Sequence, residues 1–196
     1  MTRINKVGRV EARSGKASSA VIFLHGYGAD GDDLLGLAEP LAPHLPNTLF
    51  LAPDAPEACV TNPFGRQWFP IPWLDGSAPE EAAAGLARSS EDLNAFLDQV
   101  MTAEGLAASQ IALLGFSQGT MMALQVAPRR AQALAGVIGF SGRLLRAEAL
   151  AAETVTKPPM LLLHGDVDQI VPFGDLKQAA DALSAAGFDL RTHVMR

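Results

Sequence analysis

Cysteine is almost missing from this sequence. Cys59 is the only one in 196 residues, so neither an intramolecular disulfide nor a thiolate zinc cluster can form. Basic runs are missing too. Fifteen Lys and Arg stand against 21 Asp and Glu, a formal net charge of −6, and with no Lys/Arg block a DNA or RNA partner is not expected. Apolar runs reach only about half a bilayer span, too short for a transmembrane segment. Met1–Val10 contain no apolar signal region, which makes a cytoplasmic protein the expectation. Charged residues are scarce at 18%, against 48% hydrophobic. That balance excludes wholesale disorder and suits one folded domain.

What is present is a series of short runs apolar on both faces: Val21–Leu24, Leu49–Ala52, Ile111–Leu114, Leu134–Ile138 and Met160–Leu163. Such runs predict parallel strands covered on both sides. Lys6–Glu11 and Asp189–Met195 read as weaker strands. Apolar residues at 3/4 spacing predict helices over Asp32–Leu45, Ala78–Glu104 and Gly174–Ala186. Thr120–Ala127 is apolar nearly all round and stops at Pro128, which predicts a buried helix. Strand alternating with helix predicts an α/β fold with a mainly parallel sheet. Pro53–Pro79 breaks the pattern with six prolines, Trp68, Phe69 and Trp73. It reads as an ordered loop over part of a cleft.

Gly115-Phe116-Ser117-Gln118-Gly119 matches Gly-x-Ser-x-Gly. Its flanks carry more weight than the five letters: an apolar strand enters and a buried helix leaves, as a nucleophile elbow requires. Serine at neutral pH is a poor nucleophile unless an imidazole takes its proton and a carboxylate holds that imidazole. Asp166 and Asp168, after the strand Met160–Leu163, are both candidates for the carboxylate. Asp168 lies deeper in its loop, anchored by Ile170-Val171-Pro172, and is preferred. A developing oxyanion needs two N–H donors. The amide of Gln118 is one, and the loop His25-Gly26-Tyr27-Gly28 should provide the other, with His25 orienting rather than acting as a base. Gly139-Phe140-Ser141-Gly142 imitates the elbow, but Arg143 stands where its last glycine should be, so Ser141 reads as a strand-end residue near the site. Asp30, Asp32 and Asp33 read as helix-capping acids, not metal ligands. Phe69, Ile71, Trp73 and Phe140 are the expected apolar walls of a substrate pocket.

Taken together, Leu24–Asp30, Ala52–Pro56, Trp68-Phe69, Gly115–Gly119, Phe140–Gly142 and His164–Asp168 resemble the phospholipase/carboxylesterase family of α/β-hydrolases, which includes acyl-protein thioesterases. The resemblance implies an α/β-hydrolase fold over residues 1–196, with helices on both faces of a twisted sheet and no separate cap domain. It implies Ser117 as nucleophile, Asp168 as the triad acid and the backbone N–H groups of Tyr27 and Gln118 as the oxyanion hole. The substrates it implies are small carboxylic esters, thioesters or lysophospholipids, hydrolysed without metal or cofactor. The family's histidine is expected on a turn beyond the last strand. His193 lies inside that strand and the chain stops at Arg196, so the expectation is a chain truncated after its last strand and lacking the catalytic histidine. An exposed sheet face would then favour association, with a homodimer as the candidate assembly. The alternatives are a non-catalytic binding protein on the same fold and a dienelactone-hydrolase-like enzyme.

Overall fold

The structure is a computed structural model and describes all 196 residues. Seven strands form one sheet: β1 (Val7–Val10), β2 (Ser19–Leu24), β3 (Thr48–Pro53), β6 (Ile111–Phe116), β7 (Gly136–Phe140), β8 (Met160–Gly165) and β9 (Leu190–Met195). Their spatial order is β1-β3-β2-β6-β7-β8-β9, and only the β1–β3 pair is antiparallel. A two-stranded hairpin, β4 (Glu57–Ala58) with β5 (Arg66–Gln67), lies in the proline-rich segment.

The apolar runs become strands because both sheet faces are covered. Trp68, Leu86, Leu93, Leu97, Ile22, Leu24, Leu113 and Met122 meet in the larger core. Phe23, Phe50, Ala52 and Leu114 form the smaller core on the second face, against Ala38 and Ala42. Helix α4 (Pro79–Glu104) and helix α5 (Gln118–Val126) carry the larger core, and every residue of α5 is buried. No helix is long and apolar enough to cross a membrane.

The single helix expected over Asp32–Leu45 is two short ones, α1 (Gly31–Leu35) and α2 (Ala38–Leu41). Pro40 explains the break: it has no N–H to donate and its ring collides with the carbonyl four residues earlier. The strand expected at Leu134–Ile138 is shifted to Gly136–Phe140. Helix α3 (Pro72–Asp75) and helix α6 (Ala147–Glu153) have no counterpart in the periodicity. Helix α7 (Gly174–Ala185) ends one residue before its expected limit.

The connectivity locates the site. After β2 the chain builds outward to β3; after β3 it crosses back through α4 to β6 on the other side of β2. The loops leaving β2 and β6 therefore diverge at adjacent strand ends, and ligand crevices of open α/β sheets form at such switch points.

Candidate active site

Ser117 links β6 to α5 with φ 51° and ψ −112°, a conformation side-chain-bearing residues rarely adopt. Holding it costs on the order of 1–3 kcal/mol. The surroundings impose it: the Ser117 N–H donates to the Phe140 carbonyl at 2.8 Å, and its own carbonyl accepts from Met121 N–H at 3.2 Å. Two glycines make the turn possible. A Cβ on Gly115 would sit 2.5 Å from backbone atoms of Gly119, and one on Gly119 would sit 1.8 Å from the Leu24 carbonyl oxygen. Such overlap admits no side chain, so strand, turn and helix can pack this closely only with glycine at both positions.

Gln118 does more than follow the serine. Its buried side chain accepts from Trp68 N–H at 2.9 Å and donates to the Phe69 carbonyl at 2.7 Å, tying the proline-rich segment to the elbow. Trp68 in turn donates its indole N–H to the His25 carbonyl at 3.0 Å. The His25 ring is fully buried. Its Nε2 accepts from Ala55 N–H at 2.9 Å, so Nδ1 carries the proton and donates to the Gly26 carbonyl at 2.8 Å. Burial holds the His25 pKa below its ordinary value, and the ring stays neutral while it braces the loop.

That loop presents the Tyr27 amide, which has no hydrogen-bond partner in the chain, beside the turn of Ser117. The Gln118 amide is the first of α5, where no helical acceptor is available. The Tyr27 phenol donates to Asp75 Oδ2 at 3.1 Å and so fastens α3 to the loop. Burial raises its pKa.

Asp168 lies in the loop after β8. Burial pushes its pKa up, but the amides of Val171 and Ile170, the Ser141 hydroxyl and the nearby His164 outweigh that and hold it below the ordinary carboxylate value. Both amides donate to Oδ1 at 2.9 Å. His164 is buried, engages the Val171 carbonyl through Nε2 at 2.9 Å, and stands 3.6 Å from Asp168 Oδ2. Asp166 is exposed and does not line the cleft that Asp168 lines.

Ser117, Asp168, Ser141 and Tyr27 line one cleft of about 260 Å³. Its apolar walls are Leu74, Phe116, Ile170 and Val171, with Asp33 also on the lining. The four residues expected as walls lie elsewhere. Ile71 is buried in the larger core. Phe140 packs against the smaller core, because strand alternation puts it on the same face as Ile138. Phe69 and Trp73 line a separate cavity of about 400 Å³ beside α4, where the Arg143 guanidinium lies 4.7 Å from the Trp73 ring centre. The sequence reading missed Phe116, Ile170 and Val171 as walls, although their places next to Ser117 and just after Asp168 could have pointed to them. Leu74 gave no sequence signal. None of His25, His44, His164 and His193 lines the cleft. Asp30 caps α1 by accepting from Asp32 N–H at 3.0 Å, as the acidic run suggested.

A mainly parallel sheet with a serine elbow at a switch point, facing a loop carboxylate from a later strand, defines an α/β-hydrolase. The comparisons give the next step. Residues 5–196 match the model of the family described as phospholipase/carboxylesterase. The chain is 30% identical over 181 residues to acyl-protein thioesterase 1 of Yarrowia lipolytica, covering 88% of this chain and 79% of that protein. The crystal structure of esterase PE8 superposes with a TM-score of 0.91 at 41% identity, over 96% of this chain and 87% of that one. SOBER1 of Arabidopsis thaliana superposes with a TM-score of 0.77 at 25% identity, over 91% and 88%. The chain belongs to the phospholipase/carboxylesterase family and is a hydrolase of that family.

Proposed function

We propose that the protein is a serine carboxylesterase that forms an acyl-enzyme on Ser117, with small esters or thioesters as substrates. The supporting observation is the shared cleft: a strained, half-buried serine, a stabilised carboxylate and a free loop amide line a single cavity. In this reading Ser117 Oγ attacks the acyl carbonyl as its proton passes to cleft water or to added imidazole, the carbonyl oxygen becomes an oxyanion, and that proton is returned to the departing alcohol or thiol. The amides of Tyr27 and Gln118 donate to it, each worth on the order of 3 kcal/mol of transition-state stabilisation. The tetrahedral intermediate expels alcohol or thiol, which takes a proton as it leaves. Water then adds to the acyl-enzyme, and the acid departs with Ser117 regenerated.

Asp168 is read as the carboxylate that orients an imidazole. Buried His25 and His164 are already hydrogen-bonded, and neither they nor His44 or His193 face the cleft. We infer that none of the four is the general base. The reading is tested by hydrolysis of short p-nitrophenyl esters with wild type, Ser117→Ala and Asp168→Asn. The expected result is slow but measurable turnover that Ser117→Ala removes, while Asp168→Asn, with no imidazole on the cleft to orient, lowers it by no more than about tenfold. Turnover unchanged in Ser117→Ala would overturn it.

A further inference from the structure

The cleft has a charge character that the reaction scheme does not use. Its lining includes two carboxylates, Asp33 and Asp168, and no Lys or Arg. Asp168 is committed to the amides of Ile170 and Val171. Among the neighbouring acids, Asp32 pairs with Lys6 at 2.8 Å and Asp30 caps α1. Asp33 is exposed, makes no ion pair, and sits on the cleft wall. Two aromatic residues share that lining of about 260 Å³ with it: Phe116, which is 45% exposed, and Tyr27, which is partly buried with its phenol held by Asp75. An unpaired carboxylate next to aromatic rings is a combination that attracts organic cations, through Coulomb attraction and cation–π contact.

We propose that Asp33, with Phe116 and Tyr27, selects esters and thioesters whose leaving group is cationic, quaternary ammonium alcohols and thiols above all, and disfavours anionic ones. The inference rests on the serine-esterase reading and narrows its substrate class. The cation would sit on the leaving-group side and depart with the alcohol or thiol, so the selection acts on acylation of Ser117. Polyanionic thioesters would meet the same field as a repulsion.

The test compares S-acetylthiocholine with its neutral carbon isostere, S-(3,3-dimethylbutyl) thioacetate, by kcat/KM. The two differ by nitrogen for carbon at one centre, so shape is held constant; because the ammonium also makes thiocholine the better leaving group, each kcat/KM is divided by that substrate's own rate of hydroxide hydrolysis before the two are compared. Wild type should favour the cation about tenfold at low salt. The preference should shrink as ionic strength rises from about 0.01 to about 1 M, where the screening length falls from about 30 Å to about 3 Å. It should collapse towards one in Asp33→Asn and reverse in Asp33→Lys. Phe116→Leu should weaken it about threefold. Equal rates on the two thioesters in wild type would overturn the selection while leaving the esterase reading intact. A preference that survives in Asp33→Asn would overturn the assignment to that carboxylate. No hydrolysis of either thioester, with no fluorophosphonate adduct on Ser117, would overturn the esterase reading and this inference with it.

Discussion

Two serines at the ends of neighbouring strands of this sheet look alike and lie in different surroundings. Ser117 follows β6 and Ser141 follows β7, and the strands pair in register with Gly115 opposite Gly139 and Phe116 opposite Phe140. Both serines have positive φ, 51° and 48°. Each donates its N–H to the next strand, Ser117 to the Phe140 carbonyl at 2.8 Å and Ser141 to the Leu163 carbonyl at 2.9 Å. The difference comes two residues later. Gly119 lets α5 begin at once against β2, leaving a free amide behind the serine oxygen. Arg143 instead carries the chain away, pairing with Asp175 at 2.7 Å and lying over Trp73. Ser141 is left with its hydroxyl turned to Asp168, where it helps hold the carboxylate. The same backbone kink thus carries, in one place, the serine proposed as nucleophile and, in the other, a serine set beside the Asp168 carboxylate.

The largest expected effect breaks the comparison at the oxygen. Ser117→Ala should abolish ester turnover above the uncatalysed background, whereas Ser141→Ala should cost no more than about tenfold. Comparable losses in the two variants would show that the serines share a role. Next comes the residue two places on. Gly119→Ala drives a methyl group into the Leu24 carbonyl and should destabilise by about 3 kcal/mol or more, read by chemical denaturation. Arg143→Gly gives up a ring contact and the partner of the buried Asp175 carboxylate and should cost about 1–3 kcal/mol.

How much of this was legible in the sequence follows from the same contrast. The elbow could be read because glycine, serine and glycine between an apolar strand and an apolar helix have few other uses. Arg143 separated the imitation from the original for the same steric reason. The parallel strands could be read because burial on both faces leaves nothing polar in them. Pro53–Pro79 resisted. Its composition marked an ordered covering loop, but which aromatic turns where depends on distant partners. Trp68 is fixed by His25 and Gln118, and Trp73 by Arg143. The walls assigned to Phe69, Ile71, Trp73 and Phe140 consequently fell outside the cleft, and Leu74 took a place there unannounced.

A smaller effect sharpens the role of Ser141 through pH. The Asp168 carboxyl is held below its ordinary value near 3.9, so its contribution to stability is fully present above that pH and is lost as pH falls through the lower folded value. Removing one donor with Ser141→Ala should cost about 1 kcal/mol at neutral pH and nothing measurable once Asp168 is protonated. Denaturant titrations from about pH 7 down into the acid limb would read this as a gap between wild type and variant that narrows as pH falls. A gap of constant size across the range would assign Ser141 to packing alone. The smallest effect concerns the base. With no histidine on the cleft lining, imidazole added to the assay should raise the Ser117-dependent rate about two- to tenfold above its own background hydrolysis. A rate indifferent to imidazole would mean that a base is already in place.

The most direct measurement is to expose the folded protein to a fluorophosphonate, digest it, and locate the adduct by mass. The account predicts slow modification of Ser117, faster when imidazole is added, with Ser141 untouched. An adduct on Ser141, or none on either serine, would contradict it.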